Sequence, residues 1–181
     1  MIPIRTEGPA VEPVTVAALR AWLRLDDGAE DATLADLASS ARRVVEEATG
    51  RAVGAGRFRL VLPAWPGGAV AVPLTPITGV DAAWLAAPDG GRTALGPGPG
   101  FPRLDPAVPD RLLFGPAPAG SAGCAVELAL LAGEAEPPAP LAQAIRMLAA
   151  GWFENRGDGP SDPGLPGSVF ALLAPYRRPR L

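Results

Sequence analysis

Along Leu141–Arg156 the apolar residues Leu141, Ile145, Leu148 and Trp152 recur at i, i+4, i+7 and i+11, the spacing of one face of an α-helix. Ala142, Ala149 and Phe153 widen that face, which predicts a helix packed on two sides. Pro137, Pro138 and Pro140 fall before or within its first turn, where a missing N–H costs little. The stretch Arg156-Gly157-Asp158-Gly159-Pro160 breaks it. The same period appears twice near the start of the chain. Thr15 is a suitable N-cap for a helix from Val16 to about Leu25, with Val16, Leu19 and Leu23 on one side and Trp22 beside them. Beyond the acidic turn Asp26–Asp31, a second helix is predicted over Ala32–Thr49 and closed by Gly50. Leu34, Leu37, Ala38, Ala41, Val44, Val45 and Ala48 form its buried side. Arg42–Glu46 and Arg43–Glu47 are expected as i,i+4 ion pairs on the outer side.

After Arg51 the period changes. Arg57–Leu62 alternates for part of its length and reads as a strand, followed by strands at Val70–Leu74 and Ile77–Ala87. Asp89-Gly90 is a hairpin-turn signal leading into Arg92–Leu95. Gly96–Gly100 is a loop by composition, and Arg111–Phe114 and Cys124–Leu131 supply the last strands. Cys124–Leu131 could also be part of a helix; its length and flanking glycines favour the strand. Pro3–Pro13 is an extended lead-in. Gly157–Gly167 is a loop, and Ser168 can cap a short helix, Val169–Leu173, that Pro175 ends. The pattern therefore predicts an α+β protein. Its helical core has two N-terminal helices plus a long and a short C-terminal helix, with a small antiparallel β-domain inserted. The expected boundaries are residues 1–51 and 135–175 for the two parts of the core, 52–134 for the insert, and 176–181 for a tail.

Composition narrows the function classes. Of 181 residues, 48% are hydrophobic, enough for a core without disulfides or a structural metal. The single cysteine, Cys124, sits in an apolar run and reads as a buried, inert thiol, in keeping with a reducing compartment. Histidine is absent, which removes the usual general base, the Ser-His and Cys-His pairs and histidine metal sites. Every basic residue is arginine, and the net charge is −3, so bulk positive charge does not hold nucleic acid here. No apolar run approaches the roughly 20 residues of a membrane span, and Met1–Glu7 has no signal-peptide core. The reading is a soluble, cytosolic product.

Candidate chemical sites fail on spacing. The acidic turn Asp26–Asp31 lacks calcium-loop spacing and reads as a solvated turn. Glu134 and Glu136 sit among prolines with nothing to raise either pKa for acid–base work. In Gly96-Pro97-Gly98-Pro99-Gly100 the prolines remove N–H groups that would cradle phosphate. Trp22, Trp65, Trp84 and Trp152 are not spaced as a base-stacking platform, and core or interface packing is the expectation. No catalytic, cofactor or metal site is expected. Arg177, Arg178 and Arg180 form the one basic cluster, either a solvated terminus or a contact for an anionic partner.

Five segments in order carry a resemblance. Val14–Asp27 resembles the opening of the head–tail connector, or adaptor, proteins of tailed phages: a short helix, a Leu-Arg-Leu-Asp corner and an acidic turn. Ala41, Arg42, Val45, Glu46, Thr49, Gly50 and Arg51 resemble the end of that family's second helix. Phe58-Arg59-Leu60 and Pro73-Leu74…Ile77-Thr78-Gly79-Val80 are similar to its strand segments, and Pro140–Arg156 to its central helix. Ala171–Arg177 is similar to its closing helix. Relatives also occur in prophages and in gene transfer agents, phage-derived particles that package host DNA.

The resemblance implies a structural, non-enzymatic protein at the head–tail junction of a particle assembled in the bacterial cytoplasm. It implies a roughly twelve-membered ring of identical copies beneath the portal protein, extending the DNA channel toward a stopper and the tail. DNA would pass through the lumen without specific binding, and no membrane is involved; the chain's net acidic balance suggests a channel wall that repels phosphate. Tyr176, Arg177, Arg178, Arg180 and Leu181 would be the portal-binding segment. Leu141, Ile145, Leu148, Trp152 and Phe153 would serve as core and inter-subunit helix positions. The rival reading is another virion ring protein, a stopper or a tail terminator.

Overall fold

The computed structural model describes residues 2–155 and 164–177. The described residues form four α-helices and two antiparallel sheets, a mixed α+β protein, and the chain divides into two compact units. One comprises Met1–Gly8 with Ala55–Glu134; the other comprises Pro9–Gly54 with Ala135–Leu181. No described helix is long and apolar enough to cross a membrane.

The first unit is built on β-strands. A five-stranded sheet holds β1 (Ile4–Glu7), β2 (Gly56–Leu62), β4 (Ile77–Ala86), β5 (Arg92–Ala94) and β8 (Ala125–Ala132), in the order β1-β2-β8-β4-β5. A three-stranded sheet holds β3 (Gly68–Ala71), β7 (Val108–Phe114) and β6 (Arg103–Asp105) in that order. Alternation decides the faces. Phe58, Leu60 and Leu62 on β2 share the buried side with Val126, Leu128, Leu130 and Ala132 on β8 and with Ala83 and Leu85 on β4. Leu112 and Phe114 of β7 are buried too, and Trp65 meets the Phe114 ring edge-on at 5.3 Å while its indole N–H donates to the Gly115 carbonyl. Cys124 is buried, its thiol donating to the Gly120 carbonyl.

Several strand expectations need correction. The lead-in is more than extended chain: Ile4–Glu7 pairs antiparallel with β2 and forms a sheet edge. The expected strand at Val70–Leu74 runs instead over Gly68–Ala71, and Val72 and Leu74 are buried just after it. The strand β6 was not expected at all. Its hairpin turn is Asp105-Pro106-Ala107-Val108, in which the Asp105 carboxylate accepts the Ala107 N–H and the Arg111 guanidinium. The last strand, Ala125–Ala132, is a strand as favoured, central to its sheet.

The second unit is helical. The helices are α1 (Val16–Leu23), α2 (Asp31–Thr49), α3 (Ala139–Glu154) and α4 (Gly167–Leu173), with a 3₁₀ turn at Ala174–Tyr176. Thr15 caps α1 as its sequence implies, accepting from the Ala18 N–H. The helix ends earlier than expected because Arg24 turns into the left-handed region, φ 57°. Gly50 closes α2 in the same conformation, where a glycine bears no steric cost. Leu19, Leu34, Ala38, Ala41, Val45, Leu141, Ala144, Ile145, Leu148, Val169 and Leu173 form one buried cluster. Ser168 does not cap α4: Pro166 occupies the N-cap position and no side chain closes that end. The expected loop Gly157–Gly167 lies mostly outside the described residues, at 156–163, together with the helix break at Arg156.

The largest departure is Arg42. It is not on the outer side of α2 but 2% exposed, gripped by Glu12 through two hydrogen bonds of 2.8 and 3.2 Å and by Glu46 at 2.9 Å. The other oxygen of Glu46 accepts the Val53 N–H at 2.8 Å. Arg43 and Glu47 are exposed, as expected of the outer side. A buried guanidinium is tolerable only with its donors met, and here two carboxylates meet them.

Two predictions follow from these contacts. Replacing Arg42 with Met removes the shared cation and leaves two partly buried carboxylates facing each other; urea unfolding should show a loss of about 3 kcal/mol. The Asp105 carboxyl is held below the usual carboxylate range, first by the Ala107 N–H and then by Arg111. A lowered folded-state pKa stabilises above the unfolded value of about 3.9 and is lost as pH falls through the folded one. Thermal melts should therefore show Asp105→Asn losing less stability between pH 7 and acid than the parent does.

Candidate functional site

On α3 the predicted face splits. Leu141, Ile145 and Leu148 lie inside the helical cluster, and Phe153 packs against it half-buried. Trp152 continues the same face by periodicity yet is 38% exposed, because it stands near the helix end. From Leu141 to Gly151 every position is buried or half-buried, so this helix is enclosed on more than one side.

The end of the described chain is anchored by arginine–aromatic contacts. The Arg51 guanidinium carbon lies 5.8 Å from the Tyr176 ring centroid, and that of Arg177 lies 4.8 Å from Phe170, itself 47% exposed. A third such pair sets Arg146 of α3 over Trp22 of α1 at 5.4 Å, with Trp22 50% exposed. Of the proposed portal-binding residues, Tyr176 and Arg177 are thus held on the helical unit. Arg178, Arg180 and Leu181 lie outside the described residues.

In the strand unit, the face of the five-stranded sheet opposite its core carries a network that sequence reasoning missed. Glu127 on the central strand β8 accepts from Arg59 of β2 at 2.7 Å and from Arg92 of β5 at 2.9 Å. Arg92 also lies 3.9 Å over the Trp84 ring. Arg57 pairs with Glu7 at 3.2 Å and with Asp81. The signal was present: Arg57, Arg59 and Val61 occupy alternate positions of β2, and Glu127 is the one charge in an apolar strand, at an outward register. What the sequence could not supply was which distant strands stand side by side.

The weighed candidates for chemistry fall as follows. In the acidic turn, Asp27 accepts the Ala29 N–H and Asp31 pairs with Arg20 at 3.1 Å. Glu134 and Glu136 are exposed, and among the described residues no three of His, Cys, Asp and Glu are grouped to hold a metal ion. Among the described residues the arrangement offers packing surfaces and charge pairs.

No family model matches the chain, and no curated protein does. Solved structures do. The chain is 30% identical, with a TM-score of 0.78, to one in the neck of an empty gene transfer agent (GTA) particle computed with C6 symmetry. It is 32% identical, at 0.79, to one in the virion of a native GTA particle, and 30% identical, at 0.78, to one in the neck of a native GTA particle computed with C12 symmetry. Each match covers 100% of this chain and 97% of the other. With identity at this level along essentially the full length of both partners, the protein belongs to the family of gene transfer agent neck proteins.

Proposed function

We propose that the chain is a head–tail adaptor of a phage-like particle: identical copies form a ring beneath the portal and extend the DNA channel toward the stopper and tail. The observation that carries this is the full-length likeness to neck chains in structures computed with C6 and C12 symmetry. Identical copies around one axis meet head to tail and close when the rotation per copy matches the ring. The helical unit, with α1 and α2 before the strand-rich segment and α3 and α4 after it, favours an adaptor over a stopper or tail terminator, which are more purely β.

Within this reading the C-terminal segment docks on the portal. Tyr176 and Arg177, the first two residues of that segment, lie against Arg51 and Phe170. Arginine forks suit portal carboxylates and backbone carbonyls. Because Leu141, Ile145 and Leu148 serve the helical core, Trp152 is the member of that set left open to a neighbouring copy. The net charge of −3 suits a channel wall along which DNA slides.

Electron microscopy of the purified chain mixed with portal rings from the same genome tests the proposal. A second ring on the portal's narrow end is expected, and a chain truncated after Pro175 should lose that decoration. A bare portal, with the chain found farther down assembled particles, would assign it to the stopper or tail end. Isolated subunits should also show no tight, salt-sensitive binding to free duplex DNA; a steep fall of affinity with salt would refute the repelling wall.

A further inference from the structure

The outer face of the five-stranded sheet combines open apolar side chains with charges that cancel. Ile4 is 61% exposed and Val61 42%. Strand register sets Ile4 beside Arg59 and Val61 beside Glu127, all on this face. Ala129 on β8 and Ala82 and Trp84 on β4 continue the strip, each half-buried. Around it Arg57 is matched by Glu7 and Asp81, and Arg59 and Arg92 share Glu127: three arginines against three carboxylates.

We infer that this face is where one copy of the chain packs against the next around the neck axis. The inference rests on the ring reading above, in which the neighbour along the ring is another copy of the chain, and the charge balance of the face agrees with that occupant. Every copy carries −3, so a face whose own charges cancel adds no local repulsion where two like-charged copies meet. A face already neutral can be covered by a like-charged copy without stranding a charge. Nucleic acid would require a surplus of arginine and a basic partner a surplus of carboxylate; this network has neither. The ion pairs are also formed before any partner arrives, so little side-chain ordering remains to be done on contact. In a head-to-tail ring the neighbour covers the strip with a different surface of its own.

Two variants test it, with the wild-type chain on portal rings as reference. Val61→Glu places a second carboxylate beside Glu127 on this face, so the isolated chain should fold with a slightly lowered melting temperature while ring occupancy on the portal falls by roughly tenfold or more. In the second, a photo-cross-linking p-benzoylphenylalanine replaces Val61, and irradiated assemblies should yield a product of twice the chain mass containing this chain alone. Rings of normal occupancy with Val61→Glu, or a cross-link to portal or another protein, would overturn the assignment of the face. Should Val61→Glu fail to fold, the cross-linked product decides alone. Portals left bare by the wild-type chain would instead overturn the ring reading, and this inference with it.

Discussion

A buried guanidinium organises the helical unit. Arg42 draws Glu12 from the lead-in and Glu46 from its own helix, and Glu46 in turn holds the N–H of Val53, where the chain leaves α2. Three stretches of chain are thereby tied by one cation whose desolvation would otherwise be prohibitive. Close by, Gly54 at φ +83° runs against Pro9 and Pro13; a Cβ there would come within 2.9 Å of the Pro9 side chain. The chain passes between its two units at residues 8–9, 54–55 and 134–135, and this cluster secures the helical side of the first two passages.

Local chemistry was readable in the sequence wherever one element decides its own fate. Thr15 as a cap, Gly50 as a stop and the 3.6-residue period of α2 and α3 all sit within a few residues of what they control. The alternation of Arg57–Leu62 likewise fixed a strand. What failed was non-local. An i,i+4 pair on a helix looks solvated until a distant carboxylate, Glu12, comes down upon it and buries the arginine. The edge strand β1 is made by pairing with β2 some fifty residues later, and nothing in its own four residues demands it. The hairpin at Asp105-Pro106 was legible in principle, since an aspartate bonding its own backbone two residues on and a proline at the next position form a turn by known means; the surrounding glycines and prolines masked it.

Function was legible in a different way. No residue type announced chemistry, and among the described residues no three of His, Cys, Asp and Glu are grouped to hold a metal ion. The ordered series of weak segment likenesses pointed to a phage-type junction, and the full-length match to gene transfer agent neck chains gives that reading its family. The candidate surfaces divide by unit. The helical unit presents Trp22, Trp152 and Phe170 and the start of the tail, and the strand unit presents a charge-balanced sheet face.

The cancellation of charge around Glu127 has a kinetic side. Opposed charges a few ångströms apart leave a field that dies away over a similar distance, so such a face exerts no pull on a molecule still diffusing toward it. Encounters through it proceed at the unsteered rate and succeed only when the orientation is already right. A surface of this kind adheres without recruiting. On the inferred role of this face, copies would stay apart in dilute solution and come together where some other contact has first placed them side by side, which would make the order of assembly a property of the sheet itself.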